Sequence, residues 1–241
     1  MTTRRGNADR VAAVLGVDGC RAGWVGALVT DAGIEVLVAA TFTDLLDAAR
    51  AAARELSVVA VDIPIGLPDG PPRLADLLAR QRLPAGRKSS VFPAPTRRAT
   101  EQATHAEASA TNREATGGIG LSIQAFSLVP KILDVDAVVR AGVVVEPVIE
   151  AHPEVSFAEI DPAAVVPSKR TPEGLAARAD ALRSVGLAPP PYVRGRGYAA
   201  DDLLDACAVA WTATRYAEGS ATCLPDPPEE LSDGIPAAIW V

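Results

Sequence analysis

The sequence is short of cysteine, of aromatic residues and of long apolar runs, and each shortage excludes a class of protein. Its three cysteines, Cys20, Cys207 and Cys223, are far apart and form no CxxC pair, so neither a disulfide framework nor a cysteine-based zinc site is expected. Residues 1–10 lack the apolar segment of a signal peptide, and no window approaches the roughly 18 uninterrupted apolar residues of a membrane span. We therefore expect a soluble, cytoplasmic protein without a membrane partner.

The apolar residues that are present favour a layered α/β fold. Hydrophobic residues make up 49% of the 241-residue chain and aromatic residues only 4%, so Ala, Val and Leu must form most of the core. Such a composition is typical of parallel sheets that are buried on both faces. A chain of this length can form one domain with an insertion, and we predict a disordered tail over residues 1–10 followed by a single domain over residues 11–241.

Hydrophobic periodicity predicts a mixed sheet flanked by helices. The predicted strands are, in chain order, 11–17, 24–30, 34–40, 57–67 and a short strand that ends at Glu150. Short turns join the first three, which indicates antiparallel pairing before the later parallel strands. Helices are predicted after Thr43 as N-cap, over 122–141 and over 198–219. The irregular, proline-rich segment at about 64–146 predicts a mostly helical cap inserted into the sheet.

Acidic side chains stand at the ends of these predicted core elements. Asp18 and Asp62 end two strands, and Glu150 ends a third. In the last predicted helix, Asp202 and Asp205 project from nearly the same side. If the strands are neighbours, the carboxylates meet at one edge of the sheet, and such a cluster persists only when a cation binds among them. Oxygen ligands without thiols favour Mg²⁺ or Mn²⁺, and two such ions about 4 Å apart can activate a water and stabilise the leaving oxygen in phosphodiester hydrolysis.

Several of these acids also have a simpler interpretation. Asp18, which precedes Gly19, can be a turn residue, because both residue types are common in turns. An acid in the first turn of the last helix can cap it or complement the helix dipole, and Asp201 is the one that we assign to this role. Glu154 competes with Glu150 for the position beside the third strand. The pattern leaves this choice open.

Positive charge is concentrated in one part of an acidic chain. The net charge is -7, which argues against a protein that coats nucleic acid through bulk positive charge. Between Arg73 and Arg98, however, seven basic residues accompany one acid. Gln124 in the cap is either a ligand contact or a buried amide, and His152 is a general base, a metal ligand or a structural loop residue. The basic segment also contains a donor-rich loop that can hold a phosphate, with a solvated basic face as the alternative: Arg87, Lys88, Ser89 and Ser90.

Short motifs exclude other chemistries and indicate a family. The chain has no GxSxG or GxxxxGK[ST] motif, and RGRG at 194–197 lacks the strand and helix that a dinucleotide site needs. The segments GVDGCRAGW, VDIPIGL, GRKSSVFPAP, EAHPEVSF and DDLLDACAVAWTA lie in order within residues 12–218. Together they resemble the domain of unknown function 429 family, described as predicted ribonuclease H-like nucleases. The resemblance implies a ribonuclease H-like fold with Asp18 as central metal ligand, Asp62 as the second, Asp202 or Asp205 as the helix-borne ligand, and Glu150 completing the set.

We therefore expect a Mg²⁺- or Mn²⁺-dependent nuclease that hydrolyses phosphodiester bonds in nucleic acid or a nucleotide by two-metal-ion catalysis. Two alternatives stay open. A non-catalytic module of the same fold would use the basic cap to hold a nucleotide or a partner. An ATP-dependent phosphotransferase of the actin and sugar-kinase architecture has a similar strand order but normally needs two such domains. The sequence leaves open whether the substrate is RNA, DNA or a small nucleotide, and what the oligomeric state is.

Overall fold

The protein, described over residues 12–241 by a computed structural model, is built on one seven-stranded sheet. Its strands are β1 Ala13–Cys20, β2 Gly23–Thr30, β3 Gly33–Ala39, β4 Leu56–Val61, β5 Val148–Ala151, β6 Cys223–Glu230 and β7 Pro236–Trp240. The spatial order is β3-β2-β1-β4-β5-β7-β6, with β1 to β3 antiparallel and β1, β4, β5 and β7 parallel. The predicted mixed sheet is confirmed and is consistent with the ribonuclease H-like fold. The predicted disordered tail, residues 1–10, lies outside the described residues.

Helices cover both faces of the sheet. They are α1 Phe42–Ala52, α2 Leu74–Arg82, α3 Arg97–Thr100, α4 His105–Thr116, α5 Ile123–Ser127, α6 Val129–Ala141, α7 Pro153–Ile160, α8 Pro172–Ser184 and α9 Ala200–Ala217. On one face, α1 and α6 pack against Leu15 and Leu28 of the sheet. On the other face, α2, α7, α8 and α9 pack around Val25 and Ala27. Strands that are covered on both sides must be apolar on both sides, which explains their uninterrupted Val, Leu and Ala content.

Two predicted helix boundaries are wrong, each for a local reason. The N-cap of α1 is Thr41 rather than Thr43, because the Thr41 hydroxyl accepts the backbone N–H of Asp44. The single helix predicted over 122–141 is divided at Leu128 into α5 and α6. Pro130 lies in the first turn of α6, where its missing N–H is tolerated, whereas it would interrupt the ladder of a continuous helix.

The long helix α9 lies directly on β1 because Gly16 has no side chain. A Cβ atom at this position would stand 2.1 Å from the carbonyl oxygen of Ala206 and 2.3 Å from the backbone nitrogen of Ala210. Val14 lies two residues before Gly16 on β1 and packs with Val209, near the middle of α9. The helix therefore runs antiparallel to β1, and its acidic first turns come to the carboxyl end of that strand.

Residues 62–147, which connect β4 to β5, contain helices α2 to α6 and a short 3-10 turn at Ala85–Ser90. This segment is the part of the chain where the sequence pattern predicts a helical cap. It contributes residues from four of its elements, α2, the 3-10 turn, α5 and α6, to the cavity described below. None of the helices within residues 12–241 is long and apolar enough to cross a membrane.

Candidate functional site

A cavity of about 590 Å³ opens at the carboxyl edge of the parallel strands. Its walls come from the ends of β1, β4 and β5, the first turns of α9, the inserted helices and the loop before α8. Among the predicted site residues, the structure brings together the following in its lining: Asp18, Asp62, Arg87, Ser89, Ser90, Gln124, Glu150, His152, Asp202 and Asp205. Lys88 is exposed on the 3-10 turn and is not among the residues that line the cavity, so its predicted phosphate contact stays a prediction.

Three aspartates form the floor of the cavity. Asp18 lies near the end of β1, where one carboxylate oxygen accepts the backbone N–H of Gly19 at 2.7 Å. Asp62 follows β4 directly, and its backbone N–H donates to the carbonyl of Val17 at 2.9 Å, which sets it beside Asp18. Asp205 is 1% exposed and comes from the second turn of α9. Adjacent parallel strands and one close-packed helix thus bring the three carboxylates to the same place.

Burial and mutual repulsion raise the pKa values of these acids. Burial, followed by the negative charges of Asp62 and Asp205, raises the pKa of Asp18 well above its ordinary value of 3.8. Burial also raises the pKa of Asp62, although His152 and Lys169 oppose the shift. The pKa of Asp205 reaches about 6, chiefly through burial, in spite of the opposing charge of Lys169. The floor of the cavity therefore favours uptake of positive charge.

Lys169 supplies part of that charge, although no sequence motif indicates it as a site residue. Its ammonium group donates to Oδ2 of Asp205. Burial alone would lower the pKa of Lys169, but the charges of Asp205, Asp18 and Asp62 raise it overall. The residue lies in a loop without regular structure before α8. A basic pair, Lys169 and Arg170, was the only sequence signal, and nothing in it indicates that the loop folds back over β1 and β4.

Glu150 is committed to an ion pair. Its two carboxylate oxygens accept from the two terminal nitrogens of Arg73 at 2.7 and 2.8 Å, and one of them also accepts the backbone N–H of Ile65 at 2.7 Å. Arg73 is 1% exposed and also pairs with Asp76 of α2. This network ties the inserted segment to β5. We therefore correct the assignment of Glu150 as a metal ligand, because its oxygens already neutralise a buried guanidinium.

Glu154, the competing residue, has a free oxygen. Its Oε1 accepts from Arg178, whereas its Oε2 is buried without a hydrogen-bond partner. Glu154, at the start of α7, is one of the residues that line the cavity, and its charge contributes to the raised pKa values of Asp62 and Asp205. The fourth acidic position of the site thus belongs to Glu154.

The two acids of α9 have different roles. Asp202 accepts the backbone N–H of Ala199 at 2.7 Å and so satisfies the N-terminus of the helix, the role that the sequence analysis assigns to Asp201. Asp205 reaches the cavity floor, where its Oδ1 is buried without a partner. Asp202 still lines the cavity, but the central position belongs to Asp205.

Donor groups surround the mouth of the cavity. Arg87 donates one nitrogen to the carbonyl of Val166 at 2.6 Å, and the hydroxyl of Ser90 donates to the carbonyl of Arg87 at 2.7 Å. His152 contacts the carbonyl of Ser90 through Nε2 at 3.3 Å, while its Nδ1 is buried without a partner. Lys131, which the sequence analysis also missed, lies over the ring of Trp24 at 4.6 Å from the centroid and lines the cavity. The acidic floor of the cavity suits a cation, and the basic mouth suits the phosphate ester that would bind with it.

Comparison with known proteins identifies the family. The profile of a family described as protein of unknown function (DUF429) matches residues 16–230. The chain belongs to this family. The match spans the cavity residues from Asp18 to Asp205, and the family description states no activity. No curated protein and no solved structure gave a significant match.

The donor set of this DUF429 protein fits a hard divalent cation in its chemistry. The available ligands are carboxylate oxygens, and two of these, Asp205 Oδ1 and Glu154 Oε2, are buried without a partner. Within residues 12–241, however, no group of three or more His, Cys, Asp or Glu side chains is already arranged to hold a metal ion. Lys169 takes one side of Asp205 instead. A divalent ion bound there would compete with the Lys169 ammonium for Asp205.

Proposed function

We propose that this DUF429 protein is a Mg²⁺- or Mn²⁺-dependent hydrolase of phosphodiester bonds, acting in the cavity at the carboxyl edge of its sheet. One observation carries the proposal: Asp18, Asp62 and Asp205 gather there with raised pKa values, below a mouth lined with basic and hydroxyl groups. In an ordinary structural ion pair, one basic side chain neutralises one acid. Here one ammonium serves three carboxylates, so negative charge remains for a cation to neutralise.

Asp18, Asp62 and Asp205 would hold the metal, with Glu154 as the fourth acid. Divalent ions bound there would activate a water and stabilise the leaving oxygen. The side chains of this chain orient the reaction. The carboxylates would hold the cation at the ends of β1 and β4 and on α9, and Arg87 and Ser89 can donate to the nonbridging oxygens of the ester. Ser90 can do so only when its hydroxyl leaves the carbonyl of Arg87. His152 is another lining residue, and its partnerless Nδ1 can accept a proton when Nε2 donates to the backbone carbonyl of Ser90.

A non-catalytic binding module is the second candidate, and Lys169 is the observation that favours it. With its ammonium hydrogen-bonded to Asp205, the site has a resident cation and can bind an anion at its basic mouth without a metal. The actin and sugar-kinase alternative has less support, because residues 12–241 contain one sheet and no second domain of that kind.

The test compares Asp18→Asn and Asp62→Asn with the parent protein. Hydrolysis of bis(p-nitrophenyl) phosphate and of labelled oligonucleotides is measured with Mg²⁺, with Mn²⁺ and with EDTA, and circular dichroism checks the fold. We expect metal-dependent hydrolysis by the parent protein and none above background by either variant. Asp201→Asn is the matched control, since it removes one carboxylate from the same surface but not from the cavity. Absence of both hydrolysis and calorimetric Mn²⁺ uptake in the parent protein would overturn the proposed hydrolase and favour the binding module.

A further inference from the structure

A second cluster of basic side chains lies on the surface just before α9. The RGRG loop, defined here as residues 192–197, contains Arg194 and Arg196, and both are exposed. Neither forms an ion pair with any residue from 12 to 241. No acidic residue occurs between positions 187 and 200. In a chain of net charge -7, this loop is a short positive segment, although Asp201 and Asp202 follow it in the first turn of α9.

The RGRG loop is fixed beside the mouth of the cavity. The backbone N–H of Ala22, in the turn between β1 and β2, donates to the carbonyl of Gly197 at 2.9 Å. Gly197 has φ +88°, and a Cβ there would approach the Cβ of Ala22 to 2.5 Å, so glycine is required for the contact. The same turn presents the exposed Arg21, and Gly19, two residues earlier, lines the cavity. The exposed Arg21, Arg194 and Arg196 therefore lie on two joined turns at the end of β1, the strand end whose Gly19 lines the cavity.

An aromatic side chain accompanies these charges. Tyr192 is 44% exposed, and its ring packs edge-to-face on Tyr198 with 5.8 Å between the centroids. Tyr198 is buried in the core beside α9, so it holds the Tyr192 ring in place. Exposed aromatic rings fixed among arginines are a stacking surface for unpaired bases.

We propose that the RGRG loop and Arg21 bind single-stranded nucleic acid and lead it into the cavity. The inference rests on the proposed function and names its substrate as a polymer rather than a mononucleotide. A mononucleotide would use only the donors at the cavity mouth, such as Arg87 and Lys131. Arginines outside the cavity can contact only the phosphates of further nucleotides, next to the one that occupies the cavity. Tyr192 can stack only on a base that is not paired, which favours a single strand over a duplex.

The experiment measures binding without catalysis. Fluorescence anisotropy follows a fluorescein-labelled 12-nucleotide single strand, as DNA and as RNA, in EDTA over a series of salt concentrations. We expect R194A/R196A to bind at least about tenfold more weakly and to reduce the slope of log K against log salt by about 1.4, since each lost phosphate contact changes it by about 0.7 for a single strand. Tyr192→Ala should weaken binding about tenfold, and Tyr192→Phe should retain it, because stacking needs the ring and not the hydroxyl.

The charge-matched control is R54A/R140A, which removes two exposed arginines that form no ion pair within residues 12–241. Arg54 lies just before β4, at the opposite edge of the sheet, and Arg140 lies near the end of α6. We expect its binding to match that of the parent protein. The same strand annealed to its complement is measured in parallel. Unchanged affinity and slope in R194A/R196A, equal weakening in R54A/R140A, or equally tight binding of this duplex would each overturn the proposal. Hydrolysis of bis(p-nitrophenyl) phosphate by the parent protein is measured separately. If it is absent while the variants behave as expected, the proposed catalysis fails and the binding surface stands.

Discussion

Replacing Asp205 by asparagine is expected to make the protein more stable at neutral and alkaline pH when no divalent cation is present. The Asp205 carboxyl is 1% exposed, and chiefly its burial raises its pKa to about 6 from the ordinary 3.8, even with Lys169 as its partner. Its ionised form is therefore unfavourable in the folded protein. Asparagine has nearly the same shape and carries no charge, so the variant avoids this penalty.

The magnitude follows from the shift of the pKa. A difference of about 2 pKa units, at 1.36 kcal/mol per unit, corresponds to about 3 kcal/mol. Between pH 3.8 and 6 the folded state binds more protons at Asp205 than the unfolded state does, so the contribution of this group to stability falls as the pH rises through that window. We expect Asp205→Asn to exceed the parent protein by about 3 kcal/mol at pH 8 and by about 1 kcal/mol at pH 4.5.

Urea denaturation followed by tryptophan fluorescence, in EDTA at both pH values, measures this difference. Addition of Mn²⁺ should stabilise the parent protein at pH 8 and stabilise Asp205→Asn much less, because ligand binding adds stability only where the site is intact. Asp201→Asn, on the same helix but outside the cavity, is the control and should show no such pH-dependent gain. A variant less stable than the parent at pH 8, or a gap of the same size at both pH values, would refute the reasoning.

Three further changes test other parts of the site. Lys169→Met should lower stability at pH 8 by about 1–2 kcal/mol, which is less than for a fully buried ion pair because the Lys169 side chain is 38% exposed. In urea titrations, added Mn²⁺ should stabilise this variant more than it stabilises the parent protein. Arg178→Met leaves the buried Glu154 unpaired and should cost about 3–5 kcal/mol, seen as a lower thermal midpoint; a loss below 1 kcal/mol would contradict this account. Gly16→Ala should cost about 3 kcal/mol because the new Cβ would stand 2.1 Å from the backbone of α9. A Cβ at Gly26 would meet only leucine side chains, at 3.0 Å or more, so Gly26→Ala should lower stability less in the same assay.

The part of the fold predicted from sequence is the part where local signals are strong. The three opening strands are apolar segments separated by short turns, and β4 is an apolar run ended by proline and glycine, so each is recognisable within about ten residues. The strand pair β6 and β7 was not predicted. β6 contains Pro225, Pro227 and Pro228, and prolines normally argue against a strand. They are tolerated here because β6 lies at the edge of the sheet and pairs on one side only.

The meeting of Asp18 with Asp62 was a consequence of chain order. Acids at the carboxyl ends of adjacent parallel strands must share an edge, and the strand assignment alone implies this. The helix pattern also predicted that Asp202 or Asp205 would join these two acids. Asp205 is the one that reaches the cavity floor because of the way α9 lies on β1. That geometry follows from the contact at Gly16, which no periodicity reveals.

Sequence alone therefore determined the class of fold and the two strand-borne acids, because both depend on patterns within single elements and on the order of those elements. Only the tertiary structure decided which remaining charges are available. Arg73 reaches across 77 positions to take Glu150 out of the ligand set, and a loop returns Lys169 over 36 positions to Asp205. Pairing between charges so distant in sequence depends on the packing of whole elements, and residue spacing carries no information about it.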